Sequence, residues 1–145
     1  SSIAMVYGDG KVAPEVAPSD AKVWNKDTTG TLFTIQSPSG MYFRVNGTGT
    51  TAFDAWVDAM VKYNVPYEPS ESSYGKGITS MFGLAAVEDA EGNYTYWNQD
   101  LAVDGAWTYN SLMMSNTNVA DGSQMLLFYA GYGATIDKAP IYGTN

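Results

Sequence analysis

The 145-residue chain contains neither cysteine nor histidine. Without cysteine there is no disulfide and no thiolate metal site. Without histidine the chain lacks the commonest general base, the commonest metal ligand and the usual pH switch. Charge is scarce as well: Asp, Glu, Lys and Arg make up 15% of the residues, against about 25% in a typical soluble domain. The balance is −8, which lacks the cationic footprint of a nucleic-acid binder. No run is long and apolar enough to span a membrane as a helix. Neither a phosphate loop nor a nucleophile elbow occurs. These absences lead us to expect a non-enzymatic protein with no cofactor and no metal centre.

What remains is rich in tyrosine, glycine and uncharged polar residues, with 11 Tyr, 4 Trp, 7 Met and 15 Gly. Interfaces deplete Lys, Glu and Asp and enrich Tyr, Trp and Met, so the composition suits an assembling surface. An ordinary β-rich exported protein would have it too. The chain begins at Ser1-Ser2-Ile3 without Met, which reads as an export signal removed or as a trimmed chain. The sequons at Asn46 and Asn93 suit an extracellular or cell-surface location.

Residues 1–25 read as an N-terminal arm and connector, and residues 26–145 as one domain. In the arm, "IAMVY" is a strand-like run followed by "GDG" and the proline-spaced "APEVAPSD". Ile3, Met5 and Tyr7 would point one way, ready to add to a sheet edge of the same domain or of a neighbour.

"TLFTIQSPSGMYFRVN" reads as a hairpin, with Phe33 and Ile35 alternating with Leu32 and Thr34, and Ser37 to Gly40 as its turn. "TTAFDAWVDAMVKYN" reads as the main helix, capped by Thr50 or Thr51 and ended by Asn64 and Pro66. Its apolar face is expected to be Phe53, Trp56, Val57, Met60 and Val61. Further strands are expected in "GKGITSMFG", "LAAVE", "YTYWN", "AWTYNSLMM" and "QMLLFYA", with a turn in "EDAEGN". This order predicts an α+β fold, a mixed sheet wrapped around one helix.

"TAFDAW", "YGKGITSMFG" (Tyr74 to Gly83), "YTYW" (Tyr94 to Trp97) and "ADGSQMLLFY" (Ala120 to Tyr129) follow one another in a familiar succession. It resembles the transcobalamin-like C-terminal domain, a β-grasp-type module of bacterial and archaeal surface proteins. The matching positions are Tyr74-Gly75, Ile78 with Ser80 and Gly83, Tyr96-Trp97, and Asp121-Gly122. The likeness implies a β-grasp-like mixed sheet. It also implies a small-ligand surface, since in vitamin B12 carriers this domain covers one face of a corrinoid.

Tyr96, Trp97, Trp107 and Tyr109 are the candidate ligand or interface residues. Strand alternation puts rings on both faces, so one set should pack the core and the other meet a partner. Asp100 and Asp104, near Glu88, Asp89 and Glu91, offer oxygen ligands suited to calcium. No complete loop with a closing glutamate is present, and they read as solvated turns. The expectation is an exported, self-assembling structural subunit (a filament, sheath or layer) that forms a homo-oligomer or polymer. The alternative is an extracellular module for a small ligand such as a corrinoid.

Overall fold

The computed structural model describes residues 30–143. The expected arm, with Ile3, Met5 and Tyr7, lies outside the described residues.

The chain forms an α+β domain with a mixed main sheet. Strands β1 (Thr31–Gln36) and β2 (Tyr42–Gly47) make the expected hairpin. Helix α1 (Ala52–Lys62) follows, with the Thr51 hydroxyl accepting from the Asp54 amide at 3.2 Å. Strands β3 (Tyr67–Ser72), β4 (Gly75–Met81) and β5 (Leu84–Ala85) build a small three-stranded sheet. Strands β6 (Val87–Glu88), β7 (Tyr94–Val103), β8 (Ala106–Tyr109) and β9 (Gln124–Gly131) complete the main one. Its order is β2-β1-β9-β7-β6, with β8 also on β7.

Strand β9 is parallel to β1 and antiparallel to β7, so it joins two antiparallel halves into one mixed sheet. The Asp121-Gly122 turn sets that junction. The Asp121 carboxylate accepts from the Gly30 amide at 2.6 Å, and Gly122 donates to the Gly30 carbonyl at 2.9 Å. Gly30 has φ 89°, a conformation glycine adopts without steric cost.

The inner face of the main sheet buries Phe33, Ile35, Phe43, Val45, Met125 and Leu127 against α1. The helix face is rotated from the expected stripe. Trp56 and Met60 are buried as expected, Phe53 and Val57 are only partly buried, and Val61 is 66% exposed. Ala52, Ala55 and Ala59 are fully buried instead. The cause is a close approach: a Cβ at Gly47 on β2 would collide with the Ala55 carbonyl. Glycine and alanine let the backbones come that near, and the apolar-residue pattern undercounts alanine.

Two further expectations change. "LAAVE" is two strands, not one: Leu84–Ala85 pairs with β4 and Val87–Glu88 pairs with β7, so the chain switches sheets at Ala86. "AWTYNSLMM" is strand only to Tyr109, then a loop and a short 3-10 turn, Met114–Asn116. The two sheets are tied by aromatic hydrogen bonds. Trp97 Nε1 donates to the Leu84 carbonyl at 2.8 Å, and the Tyr129 hydroxyl donates to the Ala85 carbonyl at 2.6 Å.

The outer face is covered by a strap of chain, residues 136–142, held chiefly by side chains. Gln36 acts as a peptide mimic: Nε2 donates to the Asp137 carbonyl at 2.8 Å and Oε1 accepts from the Ala139 amide at 2.9 Å. Gln124 does the same to Tyr142, at 3.0 and 2.9 Å. Arg44 donates to the Pro140 carbonyl at 2.8 Å while its guanidinium lies over the rings of Tyr42 and Tyr142. Burial lowers the Arg44 pKa from its ordinary value, and the two tyrosines partly offset this.

Candidate functional site

The expected site residues separate by face. On β7, Trp97 shares its face with the core and is 3% exposed, packed against Tyr129 at 5.4 Å between ring centroids. It is a core residue, with its indole N–H already bonded. Trp107 packs on the second cluster, Leu126, Phe128 and Ala139, and its Nε1 donates to the Ala139 carbonyl at 2.7 Å. Its ring therefore serves the strap. Asp100 is not a solvated turn residue: it is buried and paired with Lys138 at 2.7 Å. Asp104 sits in the β7–β8 turn with φ 51°, next to Gly105 at φ 79°, the backbone pattern of a tight hairpin.

Tyr96 and Tyr109 behave differently. They lie on the outer face, beyond the strap, with Tyr94 and Tyr132. Tyr94 and Tyr96 stack at 5.2 Å with 24° between planes. Tyr109 and Tyr132 are 70% and 81% exposed. Burial raises the Tyr96 pKa, and the neighbouring phenols of Tyr109, Tyr132 and Tyr94 add to it. A cluster of four tyrosines thus occupies the uncovered part of the face. Tyr132 was not singled out in the sequence, because it follows the last strand and shows no periodicity.

Beside this cluster the sheet has a gap. On the outer edge of β7, β6 stops pairing at Thr95 and β8 begins at Asp100. Main-chain direction alternates along a strand. Tyr94 O accepts from Tyr132 on the β9 side, whereas Gln99 O accepts from Asn110 on the outer side. By this alternation Trp97 directs its own N–H and C=O into the gap. A cavity of about 210 Å³ lies there, bounded by Tyr96 to Gln99, by Tyr109 to Met113 and by Ser70, Gly77 and Ile78 of the small sheet.

Asn110 shapes its wall. Its Nδ2 contacts Gln99 Oε1 at 3.0 Å, Thr117 Oγ1 at 2.9 Å and the Leu112 carbonyl at 3.2 Å. Asn98 turns its Nδ2 to the carbonyls of Tyr96 and Ala130, both at 3.1 Å. Asn98 and Gln99 are not among the residues expected from the sequence; their adjacency as a polar pair inside an aromatic strand is the signal that could have marked this site. A larger, more open hollow of about 330 Å³ lies at the start of α1 and carries mixed charge from Asp54, Glu71 and Lys76.

The two sequons differ in setting. Asn46 is half-buried in β2, and its Oδ1 accepts from the Tyr63 hydroxyl at 2.8 Å and from Lys62 at 3.2 Å. Asn93 is exposed in the β6–β7 turn. There the Asp89 carboxylate accepts from the amides of Asn93 and Glu91, both at 2.9 Å, and these bonds, that of Asn93 foremost, hold its pKa below the ordinary range. No group of three or more acidic residues placed to hold a metal ion occurs among the described residues. No described helix is long and apolar enough to cross a membrane.

No family model and no curated protein matches the chain. Among solved structures, a candidate metal-binding protein from Ruminococcus gnavus aligns with a TM-score of 0.47 and 17% identity, over 70% of this chain and 95% of that one. A likeness that remote carries no functional argument.

Proposed function

We propose that the protein is a non-enzymatic, exported subunit of a self-assembling surface structure, a filament, sheath or layer, joined by strand addition. In this reading the domain is a β-grasp-like, transcobalamin-like module used as a building block. The observation that carries it is a contrast between two sheet edges. β3 is protected against pairing: it holds Pro69, Glu68 and Glu71 and has a register shift between Glu68 and Pro69. β2 has no proline, no acidic residue and no register shift along its pairing with β1. The Ser37 amide donates to the Met41 carbonyl, so alternation directs the main-chain groups of Tyr42 and Arg44 away from β1. Among the described residues no strand pairs with this side of β2, and such an edge is suited to strand addition. The donor would be the arm, through Ile3, Met5 and Tyr7, and the exposed tyrosine cluster would add contact area between subunits.

Deleting Ser1 to Gly10 tests this reading. The truncated protein should stay folded by circular dichroism and sediment as a monomer, and a peptide of residues 1–10 should raise its melting temperature with occupancy. An unfolded truncation would make the arm an internal strand and end the exchange reading.

The second reading, an extracellular module for a small ligand, is favoured by the cavity at the β7 gap. Drug-sized ligands occupy roughly 300–1,000 Å³, so a space of about 210 Å³ suits something much smaller than a corrinoid. A corrinoid would have to lie on the open tyrosine face. The absorption spectrum of natively purified protein distinguishes these cases, because a bound corrinoid is coloured.

A further inference from the structure

We infer that the cavity at the β7 gap binds a neutral sugar ring. Strand addition at the β2 edge does not reach this cavity, since the gap and that edge are at opposite ends of the main sheet; the tyrosine face beside the cavity is the part shared with the proposed subunit contact.

The lining excludes most ligand classes by charge. None of its residues is acidic or basic. A phosphate, a carboxylate or a metal ion would lose its hydration there without finding a countercharge, which is costly. A purely apolar ligand is equally poorly served, because the wall presents unused polar valences. Asn110 takes up Gln99 Oε1, and Asn98 spends its NH2 on main-chain carbonyls. That leaves the Gln99 NH2 and the carbonyl oxygens of Asn98 and Asn110 without a protein partner among the described residues. An amide provides two donors and an acceptor with two lone pairs. The Trp97 main chain adds a further donor and acceptor at the gap.

The ligand must therefore be uncharged, offer several hydroxyl-type donors and acceptors, and fit about 210 Å³. It must also tolerate rings at the entrance, since Tyr96 and Tyr109 both border the cavity. A pyranose meets all four conditions. Its hydroxyls satisfy amides, and its C–H face packs on a tyrosine whose hydroxyl stays in contact with water. A second sugar unit would extend from the cavity onto the outer tyrosine face, where Tyr94 stacks on Tyr96.

Isothermal titration of the full-length protein with methyl β-glucoside, N-acetylglucosamine and cellobiose tests this, with glucuronate and inorganic phosphate as charged controls. At least one neutral sugar should bind with a Kd of roughly 1 mM or tighter, and the two anions should bind at least about tenfold more weakly. Tyr109→Ala should weaken the sugar about tenfold without changing the circular dichroism spectrum, because this side chain is 70% exposed and carries little of the fold. Gln99→Glu should weaken it as well, by placing a charge in the neutral wall. No binding by any neutral sugar, equal binding by glucuronate, or unchanged affinity in Tyr109→Ala would each overturn the proposal. Saturation of the cavity by a peptide of residues 1–10, with no sugar binding, would overturn it in favour of strand capture.

Discussion

On its inner face the main sheet meets Trp56, Met60 and three buried alanines of α1, an almost wholly apolar contact. On its outer face it meets a strap anchored by Gln36, Gln124, Arg44, Trp107 and Asp100. The first contact is non-directional, and its stability follows from the area removed from water. The second is directional: glutamine amides take the place of a neighbouring strand, and one of the peptide groups they bond, the Ala139 amide, would otherwise be buried unpaired. The strap stops short of the tyrosine cluster. The same face is therefore partly closed by polar stapling and partly left open for contact.

Breaking the inner contact should have the largest effect. Trp56→Ala removes a fully buried ring that stacks edge-on against Tyr67 at 5.2 Å. It should cost about 3–5 kcal/mol in denaturant unfolding. A loss below about 1 kcal/mol would mean that the core does not centre on this residue.

The strap should respond less. Gln36→Ala strips partners from the Asp137 carbonyl and the Ala139 amide together. We expect about 1–3 kcal/mol, the cost of leaving a buried polar group unpaired. Hydrogen exchange should quicken at Ala139 before it quickens in β1, because the strap has no ladder to fall back on.

These two faces were not equally legible in the sequence. The β1–β2 hairpin, the helix and its cap, and the α+β class all follow from periodicity and turn chemistry. Trp56 was placed in the core by its spacing to Met60. The alanine face of α1 was not, since only the approach of Gly47 to Ala55 explains it. The strap was invisible. Gln36 and Gln124 read as polar strand positions, and nothing local shows that they pair with residues 137–142. The site was half legible: Tyr96, Trp97 and Tyr109 border the cavity and Trp107 does not, while the indole N–H groups of Trp97 and Trp107 are spent on Leu84 and Ala139. Which ring faces outward depends on the register of β7 against β9, a long-range property.

A pH titration sharpens the comparison at the open end of the outer face. Burial raises the Tyr96 pKa. Below the ordinary tyrosine value of about 10 the phenol is neutral folded and unfolded, so it adds no pH dependence. As pH rises past that value the unfolded phenol ionises first, and the folded state loses stability up to the higher folded pKa. Tyr96→Phe should flatten part of the alkaline stability curve, and ultraviolet titration should lose one phenol that ionises above the ordinary tyrosine value. An unchanged curve would mean that burial does not hold the Tyr96 phenol neutral. The smallest effect belongs to Tyr109→Ala, which should shift stability by less than about 0.5 kcal/mol. A larger loss would show that the open cluster carries the fold as well as contact.

The proposed function has this domain join copies of itself through its β2 edge and its exposed tyrosines. Sedimentation velocity of the intact chain over a wide concentration range tests it most directly. We expect large or polymeric species that persist on dilution, and a single monomer boundary at every concentration would contradict self-assembly.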